Sequence, residues 1–421
     1  MIFIRDIIGE LRRLAASTRG RLVVLTGARQ CGKSTLALQA FPDYPILGFD
    51  SPVERTAYER LSPAAFAQQY PRAVLDEIQK QPSFIGTVKA AADRHSHLRY
   101  VLLGSSQLLL MQRVRETLAG RVAILELFPF MLNELVLPDE GTQPQPARIR
   151  RLLTPGGPAA ETLFAGMPVS SPTFARAQRW WDYYLHWGGM PALRDEAFSD
   201  ADRSAWLRDY RSTYLQRDLL DIARLDKLEP FVRAQSAAAI RSAQPVNFAG
   251  LARIADVSPP TAKQFMQYLA ISYQVVFIPA YHRNREKRLS KQPKLHFVDP
   301  GIRRAILDKT GEPDGAEFES AVVSEVVKQA RTARLPVTFH HLRTSDGREI
   351  DLLIETPDSY VAIECKQTSK VANADFRHLR GLAALLDKPL RCSIVVSNDP
   401  AVQTWDARAN LWAVPAPWLL T

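Results

Sequence analysis

The sequence has few cysteines and no long hydrophobic runs. Its 3 cysteines, Cys31, Cys365 and Cys392, lie far apart, without the paired spacing of zinc ligands or of a disulfide framework. No apolar run is long enough to span a bilayer, and the acidic Asp6 comes too early for a signal peptide. We therefore expect a cytoplasmic protein without a membrane partner.

Positive charge is in excess. The chain has 54 lysines and arginines against 44 acidic residues, which gives a formal net charge of +10 at pH 7. Such a balance suits a polyanion partner such as nucleic acid, and a merely soluble basic surface is the alternative. With 421 residues, the chain is too long for one ordinary core, so two or three domains are expected.

One stretch near the N-terminus has the pattern of a phosphate-binding loop. An apolar run, a glycine-bearing loop and a new helix follow one another between Leu22 and Leu36. The two glycines let backbone N–H groups face phosphate oxygens at a helix N-terminus, where Lys33 reaches the β- and γ-phosphates and Ser34 holds Mg²⁺. The residues predicted to bind ATP are Gly27, Ala28, Arg29, Gln30, Cys31, Gly32, Lys33, Ser34 and Thr35.

A pair of acids supplies the second chemical signal. The apolar strand at 73–75 ends in Asp76 and Glu77. In P-loop enzymes an acid at this place binds Mg²⁺, and a following glutamate can polarise the attacking water. We assign Asp76 to nucleotide-bound magnesium and Glu77 to the general base, with a solvated strand end as the alternative.

Two further candidates follow in the same region. Ser105 comes directly after an apolar strand, at the sheet edge where folds of this kind gather their site, and it could report the state of the γ-phosphate. A basic stretch then ends in Arg121, the arginine of this stretch that we favour as an arginine finger or phosphate sensor. That these arginines only solvate a loop is an equal alternative. A finger supplied by a neighbouring copy would require a homo-oligomer, which the sequence leaves open.

Short apolar runs at 44–50, 72–77, 98–105 and 121–128 alternate with helical patterns. This alternation predicts an α/β fold with a parallel sheet covered on both faces.

Together these motifs resemble those of the AAA-type ATPases of bacteria and archaea. The resemblance lies in Thr26-Gly-Ala-Arg-Gln30, Val74-Leu-Asp-Glu-Ile-Gln79, Leu103-Gly-Ser-Ser106, and Leu118-Ala-Gly-Arg121 followed by Leu127-Phe-Pro129-Phe and Glu134. More narrowly, the chain is similar to the group that carries a C-terminal domain of unknown function. The resemblance implies an AAA-type ATPase domain over residues 1–140.

The middle of the chain predicts a DNA-binding module. Residues 141–175 are rich in proline, glycine and polar residues, which indicates a linker or surface loop before a helical and winged-helix domain at 176–305. A helix, a tight turn and a second helix at 246–269 are followed by two apolar runs around a basic wing. We expect Lys263 and Gln267 to face a DNA groove, and a protein-binding module is the alternative. The wing residues expected on phosphates are Arg283, Arg285, Lys287, Arg288 and Lys291.

Residues 306–421 predict an α/β/α sandwich that resembles the PD-(D/E)XK nuclease core. A helix carries Glu319, a strand carries Asp351, and the next strand carries Glu364 and Lys366 on one face. A further helix at 373–386 and a strand at 390–397 complete the sandwich. We expect Glu319, Asp351 and Glu364 to bind Mg²⁺ and Lys366 to stabilise developing charge. Glu317 and Glu325 compete with Glu319 as the first acid, and a simple ion-paired hairpin is the alternative.

The sequence therefore predicts an AAA-type ATPase that uses ATP and Mg²⁺ and acts on DNA, with a metal-dependent nuclease-like C-terminal domain. The alternative is an NTP-dependent protein-binding switch whose C-terminal domains are interaction platforms.

Overall fold

The computed structural model describes residues 3–17, 21–104, 122–137, 142–164, 171–215, 228–284, 286, 288 and 291–421. The predicted sites Ser105, Arg121, Arg285 and Lys287 lie outside these residues. Within them, no helix is long and apolar enough to cross a membrane.

The described helices are α1 (Ile8–Ala16), α2 (Lys33–Ala40), α3 (Pro52–Glu59), α4 (Pro63–Gln69), α5 (Phe84–Arg94), α6 (Leu132–Leu135), α7 (Arg148–Leu153), α8 (Ala160–Phe164), α9 (Pro172–Trp187), α10 (Asp200–Tyr210), α11 (Leu228–Ile240), α12 (Phe248–Ala255), α13 (Pro259–Ile271), α14 (Pro300–Ile306), α15 (Gly315–Thr332) and α16 (Ala416–Leu419). The strands are β1 (Leu22–Gly27), β2 (Ile46–Gly48), β3 (Arg72–Asp76), β4 (Arg99–Gly104), β5 (Val122–Leu127), β6 (Gln244–Pro245), β7 (Val275–Ile278), β8 (Lys294–Phe297), β9 (Thr338–Arg343), β10 (Glu349–Glu355), β11 (Tyr360–Lys366), β12 (Leu390–Ser397), β13 (Gln403–Asp406) and β14 (Leu411–Pro415).

The N-terminal part contains the predicted parallel sheet. Its five strands follow the order β2-β3-β4-β1-β5, and all neighbours are parallel. Alternate residues of β1 enter two different cores: Val23 and Leu25 pack with α1 and α2, whereas Leu22 and Val24 pack with α4 and α5. Because both faces are covered, polar groups concentrate where the strands end, and the ends of β1 and β3 lie on the same edge.

The middle part is a helical cluster with a small antiparallel sheet. Helices α11, α12 and α13 share a core that includes Phe231, Leu251 and Phe265. Asp256, at a φ of 54°, ends α12, and Ser258 caps α13 by accepting a hydrogen bond from the Thr261 amide. These caps produce the predicted helix, turn and helix, which are followed by the β7–β8 pair in a sheet of order β6-β8-β7.

The C-terminal part is built on a six-stranded mixed sheet of order β13-β14-β12-β11-β10-β9. The sequence predicts only three of these strands, β10, β11 and β12. It also predicts a helix at 373–386, where the structure has two short 3-10 helices, Asn373–Phe376 and Leu382–Leu385. Gly381 stands between them at a φ of 68°, and this left-handed conformation interrupts any continuous helix.

Residues 142–164 differ from the predicted linker or surface loop. They contain α7 and α8, whose apolar side chains join the core of the C-terminal sheet. The Arg391 guanidinium donates hydrogen bonds to the carbonyl oxygens of Leu152, Gly157 and Pro158 at 2.7 to 2.9 Å. This segment is therefore a structural part of the C-terminal core.

Candidate functional site

The phosphate loop joins β1 to α2, and both of its glycines are required by the backbone. Gly32 has a φ of 93°, in the left-handed region that side chains disfavour. At Gly27, an added Cβ would lie 2.1 Å from the Leu127 carbonyl oxygen. A larger residue at either position would therefore distort the loop.

Lys33 folds back over the loop that precedes it. Its side chain is buried, and Nζ donates to the carbonyl oxygens of Gly27 at 3.1 Å and Ala28 at 2.8 Å. The structure thus holds one positive charge directly above the phosphate loop.

The predicted acids lie beside Lys33 and Ser34. Ser34 Oγ, in α2, donates to Asp76 Oδ2 at 2.7 Å, although β4 lies between β3, which ends at Asp76, and β1, which leads to α2. A hydroxyl and a carboxylate are the hard oxygen ligands that Mg²⁺ prefers, so this pair fits that ion.

Glu77 directly follows Asp76 in a left-handed conformation, with a φ of 56°. Gln79 Nε2 donates to its carboxylate at 2.6 Å, which fixes the direction of the side chain. Burial raises the pKa of Glu77, the Lys33 ammonium opposes this rise, and the Asp76 carboxylate adds to it. The arrangement suits a carboxylate that exchanges a proton.

The remaining loop residues have different surroundings. Cys31 is buried, and its Sγ lies 3.4 Å from the Leu127 carbonyl oxygen, which gives this side chain a packing role. The Arg29 carbonyl oxygen accepts a hydrogen bond from the Tyr210 hydroxyl at 3.1 Å. Thr35 faces a cavity on the other side of the loop.

This cavity has a volume of about 420 Å³ and lies between the loop, the N-terminal segment and the residues after α9. Its lining includes Phe3, Gly32, Thr35, Leu36, Ala192 and Arg194. The Arg194 guanidinium stacks on the Phe3 ring at 3.2 Å, and its Nη2 donates to the carbonyl oxygens of Leu135 and Leu137. Its Nε and Nη1 find no hydrogen-bond partner among the described residues.

Sequence reasoning missed a buried ion pair that supports the loop. Arg5 and Glu134, 5% and 1% exposed, form a bidentate pair with N–O distances of 3.0 and 3.1 Å. Arg5 also donates to the carbonyl oxygens of Cys31 at 2.9 Å and Phe128 at 2.7 Å. No local pattern marks this arginine, because its partner lies 129 residues away.

The residues predicted to contact DNA differ in their surroundings. Lys263 and Gln267 are exposed on α13, and Lys291 is exposed in the wing. Arg283 instead donates to the carbonyl oxygens at 384–386, and Arg288 pairs with Glu355 at 3.0 Å. Both guanidinium groups thus bind the C-terminal domain, and their contacts with phosphates stay predictions.

The C-terminal acids converge on a lysine that the sequence analysis did not select. Lys294 Nζ, on β8, lies 3.0 Å from Glu319 and 3.2 Å from Asp351. It also lies 2.8 Å from Glu349. Glu349 precedes Asp351 by two residues on the same strand, so strand alternation could have placed both acids on one face. Across the described residues, no group of three or more His, Cys, Asp or Glu side chains is arranged to hold a metal ion.

The other charged residues predicted for this site differ in their ion-pair partners. Lys366 Nζ donates to Glu364 Oε1 at 2.9 Å, so these two side chains share a face as predicted. Glu317 pairs with Arg304, and Glu325 with Lys328, which leaves Glu319 as the helix acid next to Asp351. Burial raises the pKa of both Glu319 and Glu364.

Three family matches divide the chain. Residues 19–136 match the family described as AAA domain, whereas residues 178–312 and 314–419 match two domains of unknown function, DUF8612 and DUF4143. The AAA match supports a P-loop AAA-type ATPase domain that binds and hydrolyses ATP.

The chain is also similar to whole proteins. It is 27% identical to an uncharacterized protein of Mycobacterium tuberculosis and to one of Mycobacterium bovis, over 99% of this chain and 84% of each relative. Among solved structures it resembles a Walker-type ATPase of Pyrococcus abyssi, with 14% identity, a TM-score of 0.42, and coverage of 72% of this chain and 96% of that one. A STAND protein of Pyrococcus horikoshii has 12% identity, a TM-score of 0.28, and coverage of 77% and 45%. These low TM-scores add nothing to the functional argument.

Replacing Arg5 with methionine should strongly destabilise the protein. The change leaves Glu134 buried without its partner, and such a loss costs about 3–5 kcal/mol of unfolding free energy. Denaturant unfolding of the full chain measures the effect. As a control, Arg13→Met breaks an exposed ion pair with Glu10 and should leave the unfolding midpoint unchanged. Equal shifts in the two variants would contradict a special role for Arg5.

Proposed function

We propose that the protein is an ATPase whose turnover at the phosphate loop is coupled to DNA binding by the middle domain. The observation that carries the proposal is the hydrogen bond between Ser34 and Asp76, at 2.7 Å. It brings the serine after the loop lysine and the strand-end acid together, in the arrangement that P-loop enzymes use to bind magnesium.

The residues around the loop have separate roles. Lys33 exchanges its carbonyl contacts for β- and γ-phosphate oxygens, while the loop amides face the same phosphates. Ser34 and Asp76 hold Mg²⁺, which neutralises phosphate charge when it is bound. Glu77, oriented by Gln79, positions water for in-line attack on the γ-phosphate and takes up its proton.

The cavity beside Thr35 is the proposed site of the base and ribose. It is continuous with Gly32 at the start of α2, so a nucleotide whose phosphates lie on the loop can extend into it. Phe3 provides an apolar wall, and Arg194, whose Nε and Nη1 have no hydrogen-bond partner among the described residues, lines the same space. Its volume, about 420 Å³, falls in the usual range of small-molecule sites.

Helix α13 is the proposed DNA-facing element. It is the second helix of a helix-turn-helix arrangement, the helix that enters a DNA groove in such modules, and it exposes Lys263 and Gln267. The formal charge of +10 favours association with a polyanion. Because Arg283 and Arg288 are engaged internally, the base-facing helix carries more of the proposed contact than the wing does.

The second candidate function is a nucleotide-dependent protein-binding switch. The internal use of Arg283 and Arg288 favours it, since a wing that is docked on the C-terminal domain has fewer charges for DNA. The two functions differ in one observable property. DNA should stimulate ATP turnover, with a steep salt dependence, only when the protein acts on DNA.

Two substitutions at the loop should separate binding from chemistry. Lys33→Ala should abolish ATP binding or turnover, whereas Glu77→Gln should keep binding and lower kcat by about 10²–10⁴-fold. Nucleotide titration and steady-state turnover measure the two effects, with Lys89→Ala on α5 as a control. Normal turnover in Lys33→Ala would refute the site.

The pH dependence of turnover tests Glu77 separately. Burial raises the pKa of Glu77 above the ordinary glutamate pKa of about 4.3. As pH decreases, kcat should therefore begin to fall while the pH is still above that ordinary value. The unprotonated base is lost as pH drops through the raised pKa. Glu77→Gln should not show this fall of kcat at low pH. If the wild type and the variant have the same pH profile, the fall belongs to another titrating group.

Filling the cavity should weaken ATP without affecting the phosphate contacts. Ala192→Trp places an indole in the proposed base site, and we expect ATP affinity to fall at least about tenfold through steric exclusion. Inorganic triphosphate, which has no base, should bind the variant as it binds the wild type. Equal weakening of both ligands would show that the cavity does not receive the base.

Reversing the charge on α13 should weaken DNA binding. Lys263→Glu should lower DNA affinity and reduce the slope of log affinity against log salt by about one unit. The basal ATPase rate should not change. Lys89→Glu makes the same charge change on the ATPase domain and should retain most of the DNA affinity. A similar loss of affinity in both variants would show that only the net charge of the protein matters.

A further inference from the structure

The acidic cluster of the C-terminal domain already surrounds a cation. The three hydrogens of the Lys294 ammonium group match three carboxylates, one each from Glu319, Glu349 and Asp351, at 2.8 to 3.2 Å. The lysine side chain is 1% exposed, so this positive charge is held inside the protein. Its geometry is that of a buried cation with oxygen ligands.

The acids and the lysine come from different parts of the chain. Glu349 and Asp351 lie on β10 and Glu319 on α15, all in the C-terminal domain, whereas Lys294 lies on β8 of the middle domain. The contact is reinforced where Ser242 Oγ meets Ser320 Oγ at 3.0 Å. The charge at the centre of the cluster is therefore supplied by a neighbouring domain.

A fourth acid beside the cluster lacks part of its coordination. Glu364 is 3% exposed, and its Oε1 accepts a hydrogen bond from Lys366. Its Oε2 is buried and has no hydrogen-bond partner among the described residues. Because a buried carboxylate oxygen without a donor is costly, this atom points to a missing cation or donor.

We propose that Glu319, Glu349, Asp351 and Glu364 form a divalent-cation site whose cation position is taken by the Lys294 ammonium. While β8 is docked, the site takes no divalent metal. When the ammonium is removed, the oxygens of Glu319, Glu349 and Asp351, now 2.8 to 3.2 Å from Nζ, need to move inward by only about 1 Å to reach Mg²⁺ or Mn²⁺ ligand distances. Glu364, on the neighbouring strand β11, is the fourth acid.

The charge balance of the cluster supports this exchange. Its four carboxylates face two ammonium groups, those of Lys294 and Lys366. Loss of the Lys294 charge leaves buried acids that must either take up protons or bind another cation. A divalent cation can therefore occupy this site only after β8 withdraws, so the β8 contact keeps the site closed to metal.

The test is Mn²⁺ binding by the full-length, chelator-treated protein without nucleotide. Lys294→Met should bind one Mn²⁺ ion per chain, with an affinity at least about tenfold above that of wild type, in which the ammonium fills the cluster. Thermal unfolding should show the same exchange: Lys294→Met should have a lowered Tm that Mn²⁺ restores. Lys294→Arg, which keeps the charge, should behave as wild type.

Second-site variants locate the gained ion. Adding Asp351→Asn to Lys294→Met should abolish it, whereas adding Asp76→Asn should leave it unchanged, so the result is independent of the ATP site. If Lys294→Met does not fold, Lys294→Gln keeps hydrogen bonding without the charge and takes its place. The proposal is overturned if wild type binds Mn²⁺ in a manner lost in Glu364→Gln, or if the folded, uncharged variant gains none.

Discussion

Helix α15 places charged and polar side chains in the interior, and the arrangement of the whole chain depends on pairing them. Glu325 accepts a hydrogen bond from the Leu132 amide, while Lys328 donates to the Tyr184 hydroxyl and to the Phe130 carbonyl oxygen. Farther toward the N-terminus of the helix, Glu317 pairs with Arg304. Because an unpaired buried charge is so costly, these partners cannot move away independently. One helix of the C-terminal domain thereby fixes the segment after β5, α9 and α14.

The Arg5–Glu134 pair applies the same constraint to the nucleotide site. One guanidinium joins the start of the chain, the Cys31 carbonyl in the phosphate loop and the Phe128 carbonyl after β5. The loop's conformation is therefore set before any phosphate arrives. Its preorganisation matters because groups already aimed at phosphate need little reorganisation during reaction.

Local patterns predicted the parts of the structure that local chemistry determines. Gly32 and Lys33, and the strand end at Asp76, followed from spacing, because loop curvature and strand alternation depend on neighbours in sequence. The pairing of Glu364 with Lys366 followed in the same way, from a period of two.

Long-range partners were not predictable by such patterns. Lys294 occupies an ordinary apolar strand, and only the folded chain reveals the acids around it. The wing illustrates the same limit: a basic stretch has the same appearance whether its arginines face DNA or the carbonyl oxygens of another domain, as Arg283 does. Helical spacing at 373–386 was misleading, because Gly381 admits a turn that breaks the helix while its apolar residues stay buried.

A contiguous set of contacts joins the three proposed sites. Tyr273 lies two residues after α13, and its hydroxyl donates to the Thr26 hydroxyl, in the strand that leads into the phosphate loop, at 3.3 Å. The next strand, β7, pairs with β8, and Ile278 stands opposite Lys294. Contiguity alone does not establish coupling, which requires that both ligands favour the same arrangement. Where such coupling exists it is reciprocal, so nucleotide would alter DNA affinity by the factor by which DNA alters nucleotide affinity. For nucleotide to release Lys294, it would have to bind the released arrangement more tightly than the docked one.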